Sequence, residues 1–209
     1  MYNLPKEVIE KYAGVPFTGR TFRQELTKYA AADDKLERLV AGGSLLRIKN
    51  GLLAISPELS GVGIERGLVA NMLYGPSYVS YETALAHYGL IPERVVEVRS
   101  AVVKRGKVFD TALGRFGYRT VSLDCFGLGV RSESAGRANY LIASPTKALC
   151  DLLVARPNLR ITSPKTLHEF LEADLRFDFD SFTPEKDVIK GFVSRGQKAA
   201  LFAALERMF

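Results

Sequence analysis

Cysteine and histidine are nearly absent from this chain, with two of each among 209 residues. Cys125 and Cys150 cannot frame a secreted scaffold built on disulfides. Their flanks, Leu-Asp-Cys-Phe and Ala-Leu-Cys-Asp, read as buried thiols in a reduced compartment. Neither cysteine has a Cys or His partner at zinc-ligand spacing, so no metal site is expected. Long hydrophobic runs are missing too. The longest stretch without Asp, Glu, Lys or Arg runs from Gly67 to Tyr81 and is broken by Gly75 and Pro76. That is shorter than the roughly 18–20 apolar residues of a membrane span. The opening Met-Tyr-Asn-Leu-Pro-Lys-Glu meets charge at once and has no apolar signal core. No membrane partner and a cytoplasmic location are expected.

The usual catalytic signatures are also missing. There is no Gly-x-Ser-x-Gly elbow, Walker loop or Gly-x-Gly-x-x-Gly turn. Gly42-Gly43-Ser44 offers the Gly-Ser of a nucleotidyltransferase, and Asp178-Phe-Asp180 offers its carboxylate pair. In that fold the two elements are close neighbours, so that both meet one triphosphate and its Mg²⁺. Here most of the chain lies between them, and Gly42-Gly43 reads better as a helix stop. His87, at a helix end, reads as a surface or capping residue. No enzyme, catalytic residue or cofactor is expected.

What is present fits an ordinary globular protein: 47% hydrophobic and 25% charged residues. That excludes a disordered tail and a collagenous fibre, and the length suits one large domain or two small ones. The pattern predicts a helix from Pro5 to about Tyr12 and a loop at Phe17-Thr18-Gly19. A second helix, capped by Thr21, should span Phe22 to Tyr29, and a third about Asp33 to Ala41, stopped at Gly42. Two short apolar runs follow, Leu45–Lys49 and Leu52–Ile55, joined by Asn50-Gly51. That pair is the strongest short-range hairpin signal, because a type I′ turn needs positive φ at both positions. Three helices and a hairpin form the order of a winged helix-turn-helix, whose third helix enters the major groove. A plain helical subdomain with a structural hairpin is the alternative.

Pro57 to Gly63 reads as a boundary, giving domains at 1–60 and 64–209. Beyond it, helices are predicted over Glu65–Tyr74 and from a Ser80 cap to Tyr88, with Gly89 in the C′ position. Strands are predicted at Val95–Val103, Tyr118–Leu123 and Ala138–Ile142. Ser144-Pro145, Ser163-Pro164 and Thr183-Pro184 each place a hydroxyl before a proline at N1. They should start helices near 145–155, 164–173 and 184–193, with a last helix from about Gln197 to Met208. The fold class is therefore α+β: a winged helix-turn-helix followed by a mixed α+β domain.

Three segments carry a family resemblance. Tyr78-Val-Ser-Tyr-Glu-Thr-Ala-Leu-Ala-His-Tyr-Gly-Leu-Ile-Pro-Glu93 resembles the "YxSxxsALxxhGL" signature of AbiEi-type antitoxins, the transcriptional regulators of bacterial viral defence systems. Ile142-Ala-Ser-Pro-Thr-Lys-Ala-Leu-Cys-Asp-Leu-Leu153 is similar to the family's "AxPxKALxDLL". Leu39-Val-Ala-Gly-Gly-Ser-Leu-Leu-Arg-Ile-Lys-Asn-Gly-Leu-Leu is similar to its "LvxxGxLxrlxrGvY". The matched motif residues are Tyr78, Ser80, Ala84, Leu85, Gly89, Lys147 and Asp151, and the resemblance covers about residues 17–155. It implies the antitoxin of a type IV toxin–antitoxin pair, acting against a nucleotidyltransferase-type toxin without requiring direct contact. It also implies repression of the protein's own operon through promoter DNA, with operator symmetry suiting a homodimer. The chain departs from the pattern at Ala32-Asp33-Asp34-Lys35, where family members usually carry Ser, Thr, Lys or Arg. Asp33 as an N-cap would bring negative charge to the DNA backbone. A stand-alone repressor, or an interaction module that has lost DNA binding, are the alternatives.

The formal net charge is +6, and it is unevenly spread. Residues 1–65 hold a net +1, residues 66–160 hold +6, and residues 161–209 hold −1. In the first segment, Lys28, Lys35, Arg38, Arg47 and Lys49 are the candidate phosphate contacts. In the second, Arg94, Arg99, Lys104, Arg105, Lys107, Arg115 and Arg119 are interleaved with Phe109, Phe116 and Tyr118. These cations form either a second nucleic-acid surface or a solvated hairpin with locally paired arginines. Lys147 and Asp151 stand i, i+4 with the lysine first, the less favourable order against the helix dipole. Pairing of each across the domain interior is the favoured reading, and a working surface is the other.

Overall fold

The computed structural model describes residues 4–92, 96–195 and 198–209. The chain is mixed α+β. It opens with helix α1 (Lys6–Tyr12), a two-residue strand β1 (Phe17–Thr18) and helix α2 (Gly19–Arg23), which a 3-10 turn extends over Gln24–Leu26. Helix α3 (Ala32–Ala41) and the hairpin β2 (Leu45–Lys49) and β3 (Leu52–Ile55) follow. Phe17-Thr18, expected as loop, pairs antiparallel with Leu52–Leu53 and completes a three-stranded sheet in the order β1-β3-β2. This pairing moves the cap as well. Thr18 is extended and its Oγ1 accepts the Thr21 N–H at 3.1 Å, so Thr18 caps the helix and Thr21 lies in its first turn.

Asp33 is likewise inside α3 rather than at its cap, which falls on Ala31; its carboxylate bonds Arg23 instead. The helix ends in a Schellman motif, with Ser44 N–H on Leu39 O, Gly43 N–H on Val40 O and Gly43 at φ 73°. That accounts for Gly42-Gly43 as a stop. In the hairpin, Gly51 has φ 82° but Asn50 does not share it, so the turn is not type I′. A register shift between Arg47 and Lys49 accommodates the difference.

A small core forms around Val8, Phe17, Phe22, Leu26, Leu36, Leu39, Leu45, Leu53 and Ile55. Strand alternation sends the other side of the hairpin elsewhere: Ile48, Leu52 and Ala54 join the main core of the following residues. The hairpin therefore serves both cores. The Pro57–Gly63 stretch contains a single turn, α4 (Pro57–Ser60), capped by Ser56 and closed by Gly61 at φ 68°.

The remainder is a layered unit. Helix α5 (Arg66–Leu73) leads into β4 (Ser77–Val79) and α6 (Tyr81–His87). Strands β5 (Val98–Val102), β6 (Lys107–Thr111) and β7 (Gly114–Thr120) precede a short α7 (Leu123–Phe126). Strands β8 (Val130–Ala135) and β9 (Ala138–Ala143) complete the sheet. Helices α8 (Pro145–Val154), α9 (Pro164–Leu175), α10 (Lys186–Ser194) and α11 (Ala199–Met208) end the chain. The six strands run β6-β7-β5-β4-β9-β8, with β5/β7 and β4/β9 parallel and the other pairs antiparallel. Helix α5 covers one sheet face; α6 and α8 cover the other, with α10 on α8 and α11 against α9 and α10. Gly67 lets α5 settle on the sheet, because a β-carbon there would collide with the Tyr140 ring.

Strands β4, β6 and β8 escaped the sequence pattern: β4 is three residues long, and Val-Arg-Ser-Glu-Ser-Ala has no apolar alternation. Ser144 and Ser163 cap their helices as expected, each accepting the N–H three residues on. Thr183-Pro184 does not start a helix; α10 begins at Lys186. The predicted start at Gln197 lies outside the described residues, and α11 runs from Ala199. Among the described residues no helix is long and apolar enough to cross a membrane.

Candidate functional site

Two features of the molecule gather the residues singled out by sequence. The first is a sealed polar network under the sheet. Lys147, on α8, is fully buried and donates to Asp151 Oδ1 at 2.7 Å and to the Cys125 carbonyl at 2.8 Å. Its ammonium also lies 4.7 Å from the Phe192 ring centroid and 5.3 Å from that of Tyr78. Asp151 Oδ2 accepts the Tyr78 hydroxyl at 2.9 Å and the Ser80 hydroxyl at 2.7 Å. Burial pushes the Asp151 carboxyl up from its ordinary range, against the pull of Lys147. Burial, followed by the Asp151 charge, drives the Tyr78 phenol far above its ordinary range.

Four motif residues from β4, the β4–α6 junction and α8 thus meet at one carboxylate. The Lys147–Asp151 pair is made within its own helix and sealed in the interior at the same time. Ser80 occupies the N-cap of α6, yet its side chain makes no cap bond, because Asp151 takes the hydroxyl. The remaining motif residues frame this network. Ala84 and Leu85 are fully buried where α6 packs on α8. Gly89, at φ 73°, ends α6 in a second Schellman motif, with Leu90 N–H on Leu85 O.

The second feature is a cationic, aromatic surface at the junction of the hairpin and the sheet. Lys49 donates to the Leu73 carbonyl at 3.1 Å and stands 5.1 Å from the Phe109 ring. Lys107 reaches the same ring at 4.9 Å. Lys104 bonds the Gly75 carbonyl at 2.6 Å and lies 5.4 Å from the Tyr74 ring, which is itself 5.6 Å from Phe109. Arg105 is exposed beside them, its carbonyl accepting the Tyr74 hydroxyl at 3.1 Å. Each of the three lysine ammonium groups lies over an aromatic face, a cation–π arrangement.

The other cations do not join this surface. On β7, alternation puts Phe116 and Tyr118 toward α5 and Arg115 and Arg119 on the opposite face. Register carries Lys107 and Phe109 with the first pair, and aligns Arg99 with Gly117 on the second face. There, Arg99 bonds Glu82 at 2.9 Å and Glu97 at 3.2 Å, and Arg115 approaches Glu97 at 3.5 Å. Arg119 lies over the Tyr81 ring and donates to the Ala155 carbonyl at 3.3 Å. Arg94 lies outside the described residues. Counting charge along the chain missed this division; the period-2 alternation was the signal that held it.

Around α3, acids offset the bases. Arg47 Nη2 contacts both oxygens of Glu37 at 2.7 Å, and Arg23 pairs with Asp33. Lys35 lies 5.0 Å from the Tyr29 ring, while Lys28 and Arg38 are exposed. Elsewhere, both cysteines are buried and free, and burial raises the Cys150 thiol well above its ordinary range. His168 stacks on Phe179 at 4.1 Å, and His87 approaches Glu133 at 3.6 Å. Asp178 accepts the N–H groups of Asp180 and Ser181, an Asx turn that accounts for its place in the loop. Compared with protein-family models and with curated proteins, the chain matches none.

Proposed function

We propose that residues 4–60 form a winged helix-turn-helix, and that the protein is an AbiEi-type antitoxin repressing its own operon from promoter DNA. The carrying observation is the meeting of Lys49, at the tip of the hairpin, with Lys104, Arg105 and Lys107 around Tyr74 and Phe109. In a winged helix this strand end is the wing, which lies along the DNA backbone. The basic turn between β5 and β6 then extends the wing's cationic surface onto the second unit, where most of the excess charge resides. The convergence of Tyr78, Ser80, Lys147 and Asp151 supports the family reading, since both motifs contribute to one network.

The acidic character of α3 bears on how such DNA would be read. With Arg47 held by Glu37 and Arg23 by Asp33, this helix offers little net positive charge to a phosphate. Backbone contacts from the wing and the β5–β6 turn would dominate affinity. The same ion pairs favour, as a second reading, an interaction module that has lost DNA binding. Mobility-shift titration of the full chain with its own upstream DNA over a salt series separates the two. Affinity that falls steeply with salt supports the repressor; no salt-dependent binding overturns it. A nucleotidyltransferase-like reading frame beside the gene would favour the antitoxin over a stand-alone repressor.

A further inference from the structure

On the sheet face opposite the basic surface lies a cleft of about 480 Å³, a volume within the range of small-molecule sites. It is bounded by the start of α6, the end of β7, the turn after α8, and α9. Tyr81 and Leu152, both almost fully buried, form its floor, and Phe170 and Leu159 add apolar wall. Tyr81 has φ 57°, a left-handed conformation that a side chain bearing a β-carbon adopts only when its surroundings enforce it. The enforcement is visible next door. Ser80 is fixed by its hydroxyl on Asp151 and by its N–H on the Arg99 carbonyl at 2.9 Å. The buried network thus holds an aromatic ring at the base of the cleft.

The cleft is lined by two acids, Glu82 and Asp174, and two bases, Arg119 and Arg156, and both acids are already paired. Glu82 is taken by Arg99 at 2.9 Å and Asp174 by Arg156 at 3.2 Å. Among the described residues, no carboxylate lies within ion-pair distance of Arg119. Its guanidinium sits 5.8 Å from the Tyr81 ring, with one long bond to the Ala155 carbonyl. The site therefore offers one uncompensated, planar, fork-shaped donor beside aromatic surface. That is the chemistry that recognises an oxyanion attached to a ring. We propose that this cleft binds a small anion bearing an aromatic ring, its ring against the partly exposed Phe170 and its carboxylate or phosphate on Arg119.

The proposal is independent of DNA binding, because it uses the other sheet face and its test contains no DNA. The full chain is titrated by calorimetry and ligand-observed NMR with the four ribonucleoside monophosphates, benzoate and inorganic phosphate. At least one ring-bearing anion should saturate a single site with a Kd below about 1 mM. A preference for a nucleotide or for benzoate identifies the source of the ring. Arg119→Gln should weaken that binding at least about tenfold, a change the affinity scale resolves easily. Phe170→Leu, which keeps apolar volume but removes the ring, should weaken it as well. Lys107→Gln, across the sheet, should leave it unchanged. Absence of any saturable binding overturns the proposal, as does equal binding by Arg119→Gln. Inorganic phosphate matching the ring-bearing probes, or loss of binding in Lys107→Gln, would overturn it too.

Discussion

Two sets of ion pairs in this molecule work in opposite ways. Around α3 the pairs Arg23–Asp33 and Arg47–Glu37 lie at the surface, with Asp33 and Glu37 largely exposed. Beneath the sheet, Lys147 and Asp151 are shut off from water, and each oxygen of the carboxylate is bonded. Solvent screens the first kind, so those pairs add little to stability but set the field that a phosphate backbone would meet there. The second kind is costly to assemble and costlier to leave half-made, since one partner alone is a buried, uncompensated charge. The pairs around α3 face outward; the pair beneath the sheet fixes a shape.

Breaking the buried pair is the largest effect expected. Asp151→Ala or Lys147→Met alone should destabilise the fold by about 3–5 kcal/mol, a large fraction of ordinary domain stability. The double change Lys147→Met with Asp151→Leu should cost far less than the sum, because it removes both charges together. Guanidinium unfolding midpoints at constant slope measure all three. Additive losses would mean the two side chains act separately, against the 2.7 Å contact.

At the surface, the comparison predicts an effect on DNA rather than on folding. Changing Lys104, Arg105 and Lys107 to Glu should lower affinity for the upstream DNA at least tenfold near 0.1 M salt, and flatten the salt dependence. Lys49→Glu should act in the same direction, since it shares the Phe109 surface. Arg47→Glu should act in the same direction, since it turns a neutral pair with Glu37 into two neighbouring carboxylates. Anisotropy titrations over a salt series rank the variants. A loss confined to Arg47 and Lys49 would detach the β5–β6 turn from the DNA surface.

Much of this arrangement was readable from sequence, and the gaps have physical causes. The helix caps at Ser144 and Ser163 are local, so side-chain chemistry one turn away sufficed. Thr18 was misread, and Ser80, placed correctly at the N-cap of α6, lacks the expected cap bond, because distant partners decided both. Pairing with β3 made Thr18 the cap, and Asp151, 71 positions away, diverted the hydroxyl of Ser80. The buried pair was foreseen as interior, but its closure within one helix was not. The seven cations of the middle segment were grouped by proximity in sequence. Strand alternation separates Lys107 from Arg99, Arg115 and Arg119, and a lone edge strand such as β6 gave too weak a pattern to apply it.

A smaller effect comes from relieving the acidic side of α3. Asp33→Asn with Glu37→Gln frees Arg23 and Arg47 and removes two charges that would repel phosphate. Stability should change by less than about 1 kcal/mol, as for exposed pairs generally. DNA affinity should rise and the salt slope steepen by about one to two counterions. Unchanged affinity would place α3 away from the DNA and strengthen the reading of a module that no longer reads it.

The outward-facing set also includes the cluster of Lys11, Tyr12 and Glu25. The Lys11 ammonium, 2.6 Å from Glu25, and then the Tyr12 hydroxyl at 3.0 Å, lower the Glu25 carboxyl below its ordinary range. A carboxyl depressed by folding adds stability above its unfolded pKa of about 4.3, and that contribution fades as pH falls through the folded value. Melting temperatures of the parent chain and Glu25→Gln should therefore differ at neutral pH and converge on the acid side. The difference should be far smaller than for Asp151, because water and salt screen an exposed pair. A Glu25→Gln gap that persisted unchanged to pH of about 2, below any carboxylate titration, would assign the contact to packing rather than charge.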